Sequence, residues 1–102
     1  MPGDIVAWLK PADVSTKNTG HIMIVRARVS RDRPGQIAVP VIDSTSVRHG
    51  TSDSRYRTQS TGLGTGTIYL TVDASGAPRG YLWSHGSKSH EHATAIALGH
   101  LE

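Results

Sequence analysis

The sequence predicts a mainly β fold, a small antiparallel barrel or strongly bent sheet of about six strands. Short runs of β-branched and apolar residues recur along the chain, and turn-forming residues separate them. No stretch shows the apolar spacing of a confident helix. A chain of 102 residues is expected to form one domain with a single modest core. Closing the sheet on itself would remove its exposed edges.

The first two predicted strands cover residues 4–10 and 21–29, and a polar loop ending at Gly20 separates them. Because alternate strand residues point to opposite faces, His21 shares a mostly apolar face with Met23 and Val25. His21 therefore lies at a strand entrance, beside a loop. A histidine in this position is either a structural residue or one that performs chemistry.

The third predicted strand, residues 37–45, follows a turn signal in residues 30–36 and forms a hairpin with the second. Pro40 lies inside this strand and removes a backbone donor. We therefore expect the strand to lie at a sheet edge or to contain a bulge.

The hairpin predicts a partner for His21. A turn centred on Asp32 sets Asp43 directly opposite His21, and a turn centred on Arg33 makes the two residues diagonal neighbours. Either register brings an imidazole and a carboxylate within interaction range on one face. His21 and Asp43 are therefore the candidate catalytic pair.

Residues 46–66 are polar and glycine-rich, which predicts a long loop. Within it, His49, Asp53 and Arg55 either line a cleft or are simply solvated. Together with Trp8 they are the candidate substrate contacts. The glycines of this stretch lack the helix and the lysine that a phosphate-binding loop needs, so no nucleotide site is expected.

The rest of the chain predicts a clear hairpin, in which residues 67–73 and 79–84 flank a turn at 73–78. Residues 93–99 form either a closing strand or a short helix, and their alternation favours the strand. The intervening histidines, His90 and His92 among them, offer too few convergent ligands for zinc. We therefore expect neither a metal nor another cofactor.

Composition limits the possible functions further. The chain has no cysteine, and hence neither a disulfide nor a thiol nucleophile, and no run long enough to span a membrane. The net charge of +3 would suit an anionic partner such as nucleic acid or an acidic wall polymer, or it reflects a solvated arginine rim. No aromatic residues interleave with the arginines, which favours the solvated rim over a nucleic-acid partner.

The chain is expected to be one β-barrel domain or subdomain over residues 1–100. Residues 101–102, Leu-Glu, resemble the junction left before a purification tag. The sequence begins abruptly inside a predicted strand. We therefore expect it to be a piece of a longer protein.

Two motifs carry a family resemblance, PGDIVAW at residues 2–8 and GHIMIV at residues 20–25. Over about its first 45 residues the chain resembles the NlpC/P60 family of papain-like cysteine peptidases and the related CHAP amidases. The resemblance implies the β half of a papain-like α+β fold, with His21 as the catalytic histidine and Asp43 as the residue that orients it. It also implies peptide or amide bonds of bacterial peptidoglycan as substrate, and a location in the cell envelope or outside the cell.

The chain departs from the family pattern in one respect, because the family's nucleophilic cysteine lies on a helix upstream of PGD. The resemblance therefore implies a base and its orienter that work with a missing Cys-bearing N-terminal segment, and a chain that is inactive alone. Two alternatives stay open. One is a non-catalytic SH3-like barrel that binds a peptide or wall glycopeptide through Trp8, Tyr81 or Trp83. The other, less favoured, is a basic barrel that binds nucleic acid.

Overall fold

A computed structural model describes residues 3–10, 20–45, 47–84 and 91–100 of the protein. Within these ranges the chain forms eight strands and no helix. The strands are β1 (Ile5–Leu9), β2 (Gly20–Val25), β3 (Ser30–Arg33), β4 (Gln36–Thr45), β5 (Gly62–Val72), β6 (Pro78–Leu82), β7 (His92–Ala93) and β8 (Ile96–Gly99). The described residues contain no helix that could cross a membrane.

All the strands belong to one antiparallel sheet in the order β7-β6-β5-β4-β2-β1-β8, and β3 also pairs with β4. The predicted mainly β, antiparallel fold is thus confirmed. There are eight strands because β3 forms within residues 30–36, where a turn is predicted, and because the last predicted strand is divided into β7 and β8. The predicted closing element is accordingly strand and not helix.

The sheet is bent so strongly that its two edges meet. β7 pairs with β6 at one edge and β8 with β1 at the other, although only Thr94 and Ala95 connect them. So short a connection spans about 10 Å at most. Thr94 connects β6 to β1, the strands next to the two edges: its backbone N–H donates to the Arg79 carbonyl and its hydroxyl to the Leu9 carbonyl, each over 3.3 Å.

The core occupies the concave side of this bent sheet. Alternate residues of each strand point into it, as the period of two requires. Trp8 of β1 and Tyr81 of β6 stack across the enclosed space with ring centroids 3.8 Å apart. The buried apolar residues are Val6, Trp8, Met23, Val25, Val39, Val41, Ile68, Leu70 and Tyr81.

The structure corrects the expectation for Pro40. Its strand β4 is neither an edge strand nor bulged at the proline, because it pairs with β5 in regular register on one side and with β2 and β3 on the other. The Pro40 carbonyl accepts from the Arg26 N–H over 3.0 Å. Since the N–H and C=O of a strand residue face the same neighbour, the missing donor faces the gap between β2 and β3. The proline therefore removes no bond from a continuous ladder.

The β2–β4 register matches the diagonal alternative, because Ile24 lies opposite Ile42 and Val25 opposite Val41. The turn itself lies further along than either predicted centre, at Pro34 and Gly35, where Gly35 has a positive φ of 75°. A register shift in β3 and the break between β2 and β3 compensate for the later turn.

The predicted loop over residues 46–66 is shorter than expected. β5 begins at Gly62, so the three alternating glycines belong to the strand, with Gly64 opposite Asp43 and Gly66 opposite Val41. Residues 47–61 fold as a series of turns against this end of the sheet.

Candidate functional site

The structure brings His21 and Asp43 together at one end of the concave face. His21 enters β2 directly after Gly20, and Asp43 lies near the end of β4. The Nε2 atom of His21 lies 2.6 Å from Oδ2 of Asp43. The Asp43 side chain is fully buried, whereas that of His21 remains 16% exposed. Nδ1 of His21 makes no hydrogen bond to any residue in the described ranges.

A second imidazole approaches the same carboxylate oxygen. Nε2 of His49 also lies 2.6 Å from Oδ2 of Asp43, and the His49 side chain is fully buried. On the other side of the ring, Nδ1 lies 3.1 Å from the carbonyl oxygen of Trp83. The backbone N–H of His49 donates to Oδ2 of Asp53 over 2.8 Å. His49 is therefore held on three sides.

Arg55 ties the other oxygen of Asp43 to Asp53. Its Nη2 donates to Oδ1 of Asp43 over 2.9 Å and to Oδ2 of Asp53 over 2.7 Å, while Nε donates to Oδ1 of Asp53 over 2.8 Å. Its Nη1 donates to the carbonyls of Asp43 and Gly62. All five guanidinium N–H groups thus have acceptors, as a buried arginine requires.

These contacts hold the cluster in its charged form. Burial by itself would raise the pKa of Asp43, but hydrogen bonds from His21, His49 and Arg55 outweigh it and hold the pKa well below its usual range. Burial is likewise outweighed at Asp53, where Arg55 and backbone N–H groups lower the pKa to about 2. Hydrogen bonds from Arg55 to Asp53 and to Asp43 raise the pKa of the arginine.

Two glycines of β5 make room for this cluster. A Cβ atom at Gly64 would lie 2.6 Å from Nε of Arg55, and one at Gly66 would lie 2.8 Å from Oδ2 of Asp53 and 2.9 Å from Cδ2 of His49. Such approaches are shorter than real Cβ atoms tolerate. The glycines therefore let buried charged side chains lie directly on a strand.

Trp83 covers both imidazoles. Its ring centroid lies 4.9 Å from that of His21 and 4.0 Å from that of His49. The indole N–H lies 3.1 Å from the carbonyl of Val47 and 3.0 Å from that of Arg48. Trp83 thereby fixes the start of the turn segment from which His49 projects.

The other sequence candidates are found in this cluster, but they do not line a cleft and they are not solvated. His49, Asp53 and Arg55 are only 2%, 3% and 1% exposed. Trp8 is 6% exposed and lies behind His21 with ring centroids 6.1 Å apart. His49, Asp53 and Arg55 therefore surround Asp43 on its buried side. His21 is the residue of the cluster whose ring is partly accessible.

Sequence reasoning missed the roles of Trp83, Gly64 and Gly66. The alternate glycines could have indicated the cluster, because glycines at every second position of a strand leave part of one face of the sheet free of side chains. Interpreting residues 46–66 as a loop concealed that alternation. The burial of Trp8 and Tyr81 also removes two of the three aromatic residues assigned to a peptide-binding surface.

A metal ion fits this cluster poorly, although the ligand atoms of His21, Asp43 and His49 all lie within 4.8 Å of one another. Zinc takes nitrogen and oxygen at about 2.0–2.2 Å, which at tetrahedral angles separates its ligand atoms by about 3.3 Å. Both N···O distances here are 2.6 Å, the length of a charge-assisted hydrogen bond. The adjoining Arg55 guanidinium also opposes a cation. The short N···O distances in the cluster are therefore those of hydrogen bonds and not those of metal coordination.

The remaining polar candidates lie elsewhere. His90 falls outside the described residues, whereas His92 is on β7 with its ring 5.1 Å from that of Tyr81. Of the arginines expected at a solvated rim, those at positions 26, 28, 31, 33 and 57 are exposed and Arg48 is partly buried. Arg55 is buried and contradicts that expectation. A groove of about 540 Å³ lies beside Arg31 and Arg33, at the opposite end of β4 from Asp43.

The fold and the site define a small antiparallel β protein whose bent sheet holds a buried histidine–carboxylate–arginine cluster. Among curated proteins, the chain is similar to Uncharacterized protein R653 of Acanthamoeba polyphaga mimivirus, with 36% identity over 104 residues. The match covers 86% of this chain and 46% of that protein, so the chain spans about half the length of the relative. No protein-family model and no solved structure matches the chain.

Proposed function

We propose that this chain supplies the general base and its orienting carboxylate to a hydrolytic site that cleaves peptide or amide bonds. The observation that carries the proposal is the asymmetry of His21. Its Nε2 is held 2.6 Å from a fully buried carboxylate, while Nδ1 has no partner among the described residues and its side chain is 16% exposed. An imidazole with one oriented nitrogen and one available nitrogen suits proton transfer.

The surroundings support this role. A carboxylate that remains charged accepts the Nε2–H of neutral His21 and leaves a lone pair on Nδ1. The same carboxylate stabilises the imidazolium that forms once Nδ1 takes up a proton. The low pKa of Asp43 means that it stays ionised throughout. Because the Asp43 carboxylate is buried, its electrostatic interaction with His21 is stronger than it would be in water.

A thiol nucleophile would have to come from outside this chain, which has no cysteine. By resemblance to the NlpC/P60 and CHAP families, we propose a thiol on a segment of the parent protein that precedes residue 2. Nδ1 of His21 would take the thiol proton as sulfur attacks the carbonyl carbon, and would return it to the leaving amine. Water would then hydrolyse the thioester and regenerate the thiol.

We propose bacterial peptidoglycan as the source of the substrate bond, on the family resemblance alone. The binding-barrel alternative finds less support, because Trp8 and Tyr81 are committed to the core. The exposed arginines support nothing more specific than a solvated rim.

The test uses the complete gene product that contains these residues. We expect it to release new amino or carboxyl groups from purified peptidoglycan, iodoacetamide to abolish this release, and His21→Ala to lower the rate at least about 100-fold. The 102-residue chain alone should release nothing.

The matched control is His100→Ala. His100 also lies 2.6 Å from a carboxylate, that of Asp4, but its side chain is 63% exposed. Its replacement should leave the rate unchanged. Full activity in the His21→Ala variant, or no hydrolysis by the complete product, would overturn the proposal.

A further inference from the structure

His49 faces a hydrogen-bond acceptor with each of its ring nitrogens. The carbonyl oxygen of Trp83 can only accept, so Nδ1, 3.1 Å away, must carry a proton. On the other side, Nε2 lies 2.6 Å from Oδ2 of Asp43. That oxygen also receives the Nε2 of His21. A neutral imidazole has only one N–H and cannot satisfy both neighbours.

We propose that His49 is a buried imidazolium and acts as a positioning residue, which keeps Asp43 unprotonated and so fixes the proton of His21 on Nε2. A proton fixed on Nε2 of His21 leaves Nδ1 as the basic atom. The catalytic value of that arrangement rests on the proposed function. The protonation state itself follows from contacts within the chain.

Charge balance supports the assignment. Asp43 and Asp53 contribute two negative charges to the buried cluster, and Arg55 contributes one positive charge. Charged His49 makes the cluster neutral, whereas neutral His49 would leave an uncompensated negative charge among side chains of Asp43, Asp53 and Arg55 that are all buried. The Trp83 ring, 4.0 Å away, adds a cation–π contribution.

The geometry leads from His49 to His21. Asp43 receives Arg55 on Oδ1 and the two histidines on Oδ2. With the His49 and Arg55 contacts supplied by N–H donors, the carboxylate needs no proton of its own. The short contact with His21 is then a hydrogen bond only if His21 Nε2 is the donor. Removing His49 takes a donor and a positive charge away from Asp43. The proton of His21 is then no longer fixed on Nε2.

Ring N–H resonances of the ¹⁵N-labelled 102-residue chain at neutral pH test the proposal. We expect two slowly exchanging ring N–H signals from His49 and one, on Nε2, from His21. A single ring N–H on His49 would overturn the imidazolium assignment. These signals do not depend on hydrolysis, so the proposed function can fail while this inference stands.

The role as a positioning residue is tested with His49→Gln and His49→Leu. Gln keeps an N–H donor and should retain the His21 signal, whereas Leu removes both donors and should lose it to solvent exchange. His100→Gln, at the exposed histidine–carboxylate pair, should change neither signal. Dispersed methyl signals from the core confirm folding in each variant. An unchanged His21 signal in folded His49→Leu would refute the positioning role. If that variant unfolds, His49→Met, which also lacks an N–H donor, takes its place, and an unchanged His21 signal in folded His49→Met would refute the positioning role.

Discussion

The side chain of Arg55 lies directly on the backbone of Gly64. Atoms Cγ, Cδ and Nε of the arginine would each lie within 2.7 Å of a Cβ at that position. Arg55 cannot move away cheaply, because all five of its N–H groups donate to fixed acceptors. Gly64 is therefore required for the cluster that holds Asp43.

We expect Gly64→Ala to destabilise the protein by about 2–4 kcal/mol, because the methyl group displaces a buried ion-pair network. The measurement is the midpoint of urea denaturation. Gly99→Ala is the matched control: Gly99 is also a strand glycine, but its Cβ would meet only Ile5 Cβ at 3.7 Å. Equal midpoints for the two variants would contradict the prediction.

Arg55→Met should cost about 3–5 kcal/mol, because it leaves Asp43 and Asp53 buried without their shared partner. The measurement is again the free energy of unfolding. The control is Arg57→Met, at an exposed arginine two residues further on, which should change stability by less than about 0.5 kcal/mol.

The double variant Asp53→Asn/Arg55→Met isolates the interaction between these two residues. Removing a charge from Asp53 should relieve part of the penalty of losing Arg55. We therefore expect the double variant to be more stable than the sum of the two single changes predicts. Additive losses would show that Arg55 and Asp53 do not depend on each other.

Acid should destabilise the protein through Asp43 and Asp53. Their pKa values are lower in the folded than in the unfolded chain, where an aspartate titrates near about 3.9. Their stabilisation is therefore present above about pH 4 and is lost as pH falls through the folded pKa values, which for Asp53 is about 2.

The measurement is the melting temperature between about pH 5 and pH 2. For Asp53 alone the loss is on the order of 2 kcal/mol, since one pKa unit corresponds to about 1.4 kcal/mol. Asp53→Asn should be less stable at neutral pH and should lose less on acidification. If the melting temperature of Asp53→Asn fell with pH in parallel with that of the unmodified chain, Asp53 would not contribute to the loss of stability in acid.

Trp83→Phe should detach the start of the turn segment. The change keeps an aromatic ring over the imidazoles but removes the indole N–H, which donates to the Val47 and Arg48 carbonyls. We expect a loss of about 1–2 kcal/mol. Hydrogen exchange should quicken at the His49 amide, whose N–H donates to Asp53. Unchanged exchange there would show that the indole N–H does not hold this segment.

The His21–Asp43 pair could be predicted because it depends on two local rules, alternation along strands and parity in a hairpin. The turn lies at Pro34 and Gly35 rather than at Arg33, and the irregular backbone before it restores the diagonal register. A regular hairpin around Pro34 and Gly35 would place the two residues on opposite faces of the sheet, so the predicted pairing holds because the register shift in β3 restores the parity.

The burial of His49, Asp53 and Arg55 could not be predicted in this way. Whether a polar segment is solvated depends on contacts distant in sequence, here a carboxylate on β4 and glycines on β5. A single charged residue is normally exposed, and only several of them together, each satisfying another, make burial tolerable. Nothing in residues 47–61 by themselves shows that these partners exist.

The meeting of β1 with β8 bears on how the chain folds. β1 pairs with β2 and also with β8, near the opposite end of the described sequence, and the Trp8–Tyr81 stack and Thr94 complete that closure. Contacts between residues so distant in sequence carry a high loop-closure entropy and slow folding. The hairpins β4–β5 and β5–β6 are local and can form early. We expect the edges to join last, so that Trp8 fluorescence would report the final and slowest step.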